Sequence, residues 1–287
     1  MKVLITGQNG QDGFLMERYL EKLGHEVLYF AGDIRDEALI KSSLSKRPDV
    51  VINFAAKSIP SECHDVKEVL EVNAWAVMKW LEHIHKTSPY CRFFNAGSIY
   101  ESLPDSLYGA SKRIARQIVN EYRRNHNLYA VHAQLYSHIS KYSKPTVGVM
   151  KYYEQAKQIV EKIKSRNFYF DPIEVDLDYE RDLSSAEDMV AAIWKVMENP
   201  NPLVNLELGS NRLTSNASFL LEVFKKLGIE TRSNRGYISF TDPETGGRYP
   251  LAINKRERQI FLGVAPLNIF NQGMGNFVRL EKIVERL

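Results

Sequence analysis

Two cysteines, Cys63 and Cys91, stand in 287 residues, too few for a disulfide framework or a cysteine-rich zinc site. No metal site is expected, and both thiols read as buried or incidental. Charge of one sign is also missing. The 38 basic and 35 acidic side chains leave a formal net charge of +3, dispersed along the chain. That excludes the basic stripe that a nucleic-acid or anionic-membrane binder needs. No apolar run approaches the ~20 residues that span a bilayer, and Met1-Lys2 leads straight into an apolar strand without a signal core. A cytoplasmic location is the expectation, with neither nucleic acid nor membrane as partner. Internal repeats and low-complexity segments are absent too. What remains is an ordinary globular composition, long enough for one large or two intimate domains.

Against that background one local feature stands out. The turn Thr6-Gly7-Gln8-Asn9-Gly10-Gln11-Asp12-Gly13 follows the apolar run Val3, Leu4, Ile5 and precedes a helical pattern. Glycines without Cβ let the backbone approach a pyrophosphate, and the following helix offers it a positive N-terminal end. Met16, Tyr19, Leu20 and Leu23 repeat at i, i+3, i+4, i+7, one helix face for packing on a sheet. A dinucleotide site is the leading reading; an ordinary glycine-rich β-to-α turn is the alternative.

Strands and helices alternate through the first half, the pattern of βαβ units and a parallel sheet. Val3–Ile5, Val27–Phe30, Val50–Phe54, Arg92–Phe94 and Tyr129–Leu135 read as strands. Gly13–Leu23, Glu37–Lys46, Val66–Lys86 and Tyr108–Asn125 read as helices. After Tyr136 comes a polar loop, then a helix near Val149–Ser165. Alternation resumes with a helix at Ala186–Asn199 and a strand at Leu203–Leu208. Helices at Ala217–Leu227 and Asn276–Leu287 follow, joined by proline- and glycine-rich connections. The expected fold is α/β: a Rossmann doubly wound parallel sheet with a smaller discontinuous C-terminal substrate lobe. Residues 1–138 form the NAD(P)-binding domain, completed by about 186–208. Residues 139–287 form the lobe, mainly 139–185 and 209–287.

Tyr108-Gly-Ala-Ser-Lys112 sets a phenol and an ammonium four residues apart, on one helix face. A nearby positive charge favours phenolate, which suits Tyr108 to exchanging a proton with a substrate hydroxyl or carbonyl. Tyr153 and Lys157 share the spacing. Only the first pair follows the strand ending Asn95-Ala96-Gly97-Ser98, whose carboxyl edge is where an open sheet binds ligands. Tyr153 reads as a surface or packing residue.

Here the chain resembles the extended short-chain dehydrogenase/reductases of the nucleotide-sugar branch, over nearly its whole length. Thr6–Gly13 matches TGxxGxxG, and Gly10-Gln-Asp-Gly13 the GQDG of GDP-mannose 4,6-dehydratases. Pro48–Ser58 resembles PDxxxNLAAQS, Val72-Asn73 the central-helix VN, and Arg92–Ser98 the strand ending in the catalytic Ser or Thr. Ala130–Ser140 resembles the FNHES segment and Arg181–Asp188 the RDWxxAxD block. The resemblance implies a nucleoside-diphosphate sugar as substrate, GDP-linked for choice, and NAD or NADP as cofactor. It makes Ser98, Tyr108 and Lys112 catalytic. Gly7, Gln8, Asn9, Gly10, Gln11, Asp12 and Gly13 would line the pyrophosphate, and Asp33 with Ile34 the adenosine end. Ala55, Ala56, Lys57, Asn73 and His138 would complete the cofactor site with Tyr108 and Lys112. Ser98, Tyr100, Ser137, Lys141, Arg181 and Arg248 would meet the substrate, Arg181 as a guanidinium fork on diphosphate. For Lys141, Lys144 and Arg248 a solvated surface cation is the competing reading. A homodimer through a four-helix interface is implied as well. Val69, Val72, Trp75, Ala76 and Lys79 offer it a mixed face, unless burial within the monomer claims them.

Two segments are shorter than in the dehydratases. Only Ala31 and Gly32 separate the second strand from Asp33, where 2′-phosphate arginines often lie, and Arg35 stands alone; the reading leans to NAD. The loop between Ser98 and Tyr108 is compact, as in dTDP-4-dehydrorhamnose reductases. Dehydratases carry Ser/Thr, one residue, then the Glu that abstracts the C5 proton; here the order is Ser98-Ile99-Tyr100-Glu101. If Glu101 reaches the sugar, dehydration survives; if it points to solvent, oxidation, 4-keto reduction or epimerisation at C4 is the better reading. A non-catalytic cofactor- or nucleotide-sugar-binding regulatory protein is the alternative of a different class. The joint presence of Ser98, Tyr108 and Lys112 argues against it.

Overall fold

The computed structural model describes every residue except 104, 235 and 256–277. The described residues fall into two compact units: Met1–Tyr136 with Ala186–Leu208, and Ser137–Ser185 with 209–255 and 278–287.

The first unit is a parallel sheet with helices on both faces. Its strands are β1 (Lys2–Thr6), β2 (Glu26–Tyr29), β3 (Val50–Asn53), β4 (Arg92–Ala96), β5 (Ala130–Leu135) and, later in the chain, β9 (Leu206–Leu208). Their order is β2-β1-β3-β4-β5-β9, every pair parallel. The direction of winding reverses between β1 and β3, the switch point where such sheets leave a crevice for ligand. Only β2 lies outside β1.

The helices are α1 (Gln11–Lys22), α2 (Glu37–Ser45), α3 (Val66–Leu70), α4 (Ala76–Thr87), α5 (Leu107–Asn125) and α7 (Ala186–Glu198). One core layer joins Leu4, Val51, Phe93 and Ala130 of the strands to Ile40, Trp80, Ile84, Ala115 and Val119 of α2, α4 and α5. On the other face α1 packs against α7. Tyr129 helps anchor the end of α7: its hydroxyl lies 3.1 and 2.9 Å from Val196 O and Asn199 O, beside the Arg92 guanidinium that donates to Asn199 O at 3.0 Å. The single long helix expected at Val66–Lys86 is α3 and α4 joined by a π-type turn, Glu71–Trp75. Val69 and Ala76 are 1% and 0% exposed and Val72 packs against the core, so burial within the monomer claims most of the face proposed for dimer contact. Trp75 is the exposed apolar member.

Among the described residues the second unit carries α6 (Met150–Lys164), α8 (Asn216–Lys226), α9 (Leu280–Arg286) and seven short strands. Strands β6 (Ser137–Ile139), β8 (Glu180–Ser185) and β10 (Leu213–Ser215) make one sheet, in the order β10-β8-β6. Strands β7 (Ile173–Val175), β11 (Thr231–Asn234), β12 (Tyr237–Thr241) and β13 (Arg248–Asn254) make another, in the order β11-β12-β13-β7. The polar loop and irregular connections expected here are thus partly strand. Three-residue strands and the all-polar Thr231-Arg-Ser-Asn234 carry no readable alternation, and Pro250 is accommodated at a register shift opposite Ile238 and Ser239. Tyr153 lies in this unit's core with Ile159, Phe219 and Phe224, the packing role expected of it. Residues 276 and 277 of the expected C-terminal helix lie outside the described residues. Among the described residues no helix is long and apolar enough to cross a membrane.

Candidate active site

At the end of β1 the backbone closes on itself. Gly7 has φ +74°, and a Cβ there would sit 2.7 Å from Ala55 N. Gly10 donates to Gly7 O at 3.0 Å and begins α1. A Cβ on Gly13 would collide with Gly7 O and lie 2.6 Å from Gln8 Cα. The first glycine serves the turn and the third the approach of helix to strand, and the exposed backbone at Asn9 and Gly10 is open to phosphate oxygens. The Gln8 amide is held by Phe30 O at 3.0 Å and the Gln11 amide by Asp12 at 2.9 Å. These residues fit a dinucleotide pyrophosphate.

Beyond β2, Asp33 is exposed and Ile34 turns into the core. Arg35 clasps Asp33 from its backbone N–H, Nε and Nη2 at 2.9, 2.9 and 2.6 Å, which holds the Asp33 carboxyl down at about 2. The same guanidinium reaches Glu71 at 3.0 Å. After β3, Lys57 N donates to Asn73 Oδ1 at 2.8 Å, while Asn73 Nδ2 donates to Lys57 O and Ser111 Oγ at 3.1 and 3.0 Å. The amide of Asn73 therefore pins the Ala55–Lys57 segment to α5, and the π-type turn aims it there. Lys57 Nζ pairs with Glu68 at 2.7 Å.

Ser98, Tyr108 and Lys112 converge at the carboxyl end of β4. Ser98 lies near enough to Tyr108 to favour its ionised form, and Lys112 Nζ donates to Ala96 O at 2.8 Å, 5.9 Å from the Tyr108 ring centre. Both side chains are buried, Tyr108 at 7% and Lys112 at 4% exposure. Burial pushes the Tyr108 phenol up to about 12 despite the opposing influence of Ser98, and Glu101, Cys63 and Tyr100 add to the rise. From spacing alone Lys112 is expected to make Tyr108 acidic; in this state desolvation outweighs that effect, and Tyr108 stands as a neutral phenol. Burial also lowers Lys112 to about 8, against the pull of Glu101 and Cys63.

Glu101 does not point to solvent, and its carboxylate is held inside by protein donors. It is 2% exposed. Ser98 begins a short 3-10 turn, Ile99–Ser102, and Glu101 closes a capping box on it: Ser98 N–H donates to Glu101 Oε1 at 2.9 Å. The rest of the carboxylate is taken by His132 Nε2 at 2.8 Å, Gln134 Nε2 at 3.2 Å and Arg116 Nε at 3.5 Å. Burial pushes Glu101 up, but these bonds outweigh it and hold the carboxyl below its ordinary range. Two signals for this lie in the sequence: the S-x-x-E spacing of Ser98 and Glu101, and the polar residues inside strand Ala130–Leu135. His132 and Gln134 were missed.

Ser137, His138, Lys141, Arg181 and Arg248 belong to the second unit. Ser137 and His138 pair with Leu183 and Ser184 of β8. Arg181 Nη2 donates to Asn216 Oδ1 at 2.7 Å, and its guanidinium lies 4.5 Å from the Tyr179 ring centre. Arg248 is exposed, donating to Ser239 Oγ at 3.1 Å. Lys141 is exposed beside Tyr142. Asp182 next to Arg181 has a structural duty, accepting from Ser210 and Arg212 N–H groups at 2.8 and 3.2 Å.

Residues 3–207 match the model of the NAD dependent epimerase/dehydratase family. The chain belongs to that family. It is 26% identical to the GDP-mannose 4,6 dehydratase of Cricetulus griseus over 78% of this chain and 72% of that one. It is 26% identical to the human GDP-mannose 4,6 dehydratase over 69% and 65%. The matched region thus spans about two thirds to three quarters of those relatives. Among solved structures, the UDP-glucose 4-epimerase of Thermus thermophilus, in complex with NAD, superposes with a TM-score of 0.73 at 17% identity, covering 100% of this chain and 98% of that one. Its fold is shared; the identity is too low to carry more.

Two residues after Ser98, where the resemblance to the dehydratases leads one to expect a carboxylate, stands Tyr100. Its ring meets that of Tyr108 edge to face with centres 5.8 Å apart, and Gly109 lets the Tyr100 carbonyl approach α5.

Proposed function

We propose that this protein is an NAD(P)-dependent oxidoreductase that works at C4 of a nucleoside-diphosphate hexose, interconverting alcohol and ketone without expelling water across C5 and C6. The observation that carries the reading is the inward turn of Glu101 beside an assembled Ser98–Tyr108–Lys112 trio. Nicotinamide, when bound, supplies or accepts the hydride. In the reductive direction the neutral Tyr108 phenol gives its proton to the C4 oxygen, which Ser98 steadies by a second hydrogen bond. Lys112, anchored on Ala96 O, orients the ribose. Elimination would require a carboxylate free to take the C5 proton, and Glu101 has all its acceptor directions occupied. Arg181, half-buried and steadied by Tyr179 and Asn216, is the proposed diphosphate ligand. NAD is favoured over NADP because Arg35 spends its guanidinium on Asp33 and Glu71 instead of waiting for a 2′-phosphate.

Mass spectrometry of products tests this, using GDP-, dTDP- and UDP-hexoses and their 4-keto forms with each cofactor in both redox states. The expected signature is a gain or loss of two hydrogens matched to nicotinamide absorbance. Loss of water with the cofactor regenerated would restore the dehydratase reading.

A further inference from the structure

Four polar side chains run through the interior of the first sheet. Thr6, Asn53, Asn95 and His132 are register partners on β1, β3, β4 and β5, none more than 4% exposed. Their hydrogen bonds all donate the same way. Ala55 N–H donates to Thr6 Oγ1 at 3.3 Å, Thr6 to Asn53 Oδ1 at 2.5 Å, Asn53 Nδ2 to Asn95 Oδ1 at 2.8 Å, and Asn95 Nδ2 to His132 Nδ1 at 2.9 Å. That assigns the His132 proton to Nε2, which donates to Glu101. The row starts at the Ala55 backbone, in the segment after β3, and ends on the carboxylate that holds Ser98 N–H. Gly97 makes room for the end: a Cβ there would collide with His132 Nε2 and lie 2.5 Å from Glu101 Oε1.

Apolar residues would fill a sheet interior without needing partners, whereas a buried polar row is costly unless complete. This one is complete. We propose that Glu101 and His132 are positioning residues: fixed by the row, they hold Ser98 from behind and keep a permanent negative charge under Tyr108 and Lys112. What those three do chemically rests on the C4 redox reading; the row itself does not. The groups facing Glu101 are His132 and Gln134 from β5 and Arg116, Tyr108 and Lys112 from α5, with Cys63 packed in one cluster with Tyr108. His132 is kept neutral by burial against the pull of Glu101, so the row carries one charge, at its end.

The test uses Glu101→Gln, which keeps an acceptor for Ser98 N–H but removes the charge, and Glu101→Asp, which keeps the charge but shortens the reach. In the free protein, side-chain carbon NMR of Lys112 is expected to show its titration falling by about one unit in Glu101→Gln and little altered in Glu101→Asp. The Ser98 amide is expected to exchange faster in Glu101→Asp. With substrate, both variants lose kcat about tenfold, with KM changed much less. A Lys112 titration identical in wild type and Glu101→Gln, with unaltered Ser98 exchange in Glu101→Asp, overturns the proposal. Should Glu101→Gln not fold, His132→Gln replaces it, and unaltered Ser98 exchange there overturns the proposal equally. If Tyr108→Phe retains full turnover, the C4 reading falls instead, and the NMR measurements still judge the row.

Discussion

Two turns at the carboxyl edge of one sheet are built on opposite principles. The turn after β1 is shaped chiefly by backbone: Gly7 takes a positive φ, Gly13 lets helix meet strand, and the Gln8 side chain adds one bond, to Phe30 O. The turn after β4 is side chain: Ser98 and Glu101 cap each other, and a row of partners across four strands keeps Glu101 inside. A site made by steric permission tolerates any residue that keeps the glycines. A site made by a buried polar network fails by degrees, each lost partner leaving another unsatisfied.

The largest expected effect removes the chemistry from the second turn and leaves the first alone. Tyr108→Phe is expected to lower hydride transfer by about a thousandfold, with NADH binding, followed by nicotinamide fluorescence, essentially intact. A variant that loses binding and turnover together would make the two turns one functional unit. Next is the converse, Gly13→Val, whose Cβ meets Gly7 O. A cost of about 2–4 kcal/mol in stability or the equivalent in NADH affinity is expected, measured by denaturant melts and titration. Gly97→Ala sharpens the contrast, since φ is ordinary there and the added Cβ meets the Glu101–His132 pair together with the Ala133 carbonyl of β5. About 1–3 kcal/mol is expected.

Lys112 allows a test of opposite sign. Its folded value, about 8, lies below the unfolded 10.5, so the folded state binds protons less well. The penalty is present in full below about pH 8 and is relieved as pH rises toward 10.5. Lys112→Met is therefore expected to raise the melting temperature at pH 7, by an amount worth up to about 3 kcal/mol before the lost Ala96 bond is counted. The gain should shrink as pH rises through that window, while turnover is lost. Stability that is unchanged at pH 7 would deny that Lys112 is strained by burial. Smallest is Thr6→Val at the far end of the row, expected to cost about 1–2 kcal/mol with turnover lowered only a few-fold.

Much of the first unit was legible because its signals are local. The apolar runs of β1, β3 and β4 and the helix faces of α1 and α5 announce themselves within a dozen residues, and Gly7, Gly13, Tyr108 and Lys112 act through spacing. Glu101 shows the limit. Its place one residue beyond the dehydratase position was visible, and so was the capping-box spacing, but its direction depends on His132 and Gln134, which reach it only once β5 lies beside β4. The second unit was the least legible: strands such as Leu213–Ser215 are too short for a period, and they become strands by pairing with Glu180–Asp182.

By itself the sequence determined what depends on neighbours along the chain: a glycine turn between strand and helix, a phenol and ammonium on one helix face, alternating elements and the family they spell. Tertiary structure decided what depends on neighbours across the sheet. It turned Glu101 inward, joined Thr6, Asn53, Asn95 and His132 into one row, and reversed the expected shift of Tyr108. The physical reason is the same in each case. Burial and hydrogen-bond partnership are properties of three-dimensional surroundings, and desolvation is strong enough to overrule what a charge four residues away would do in water.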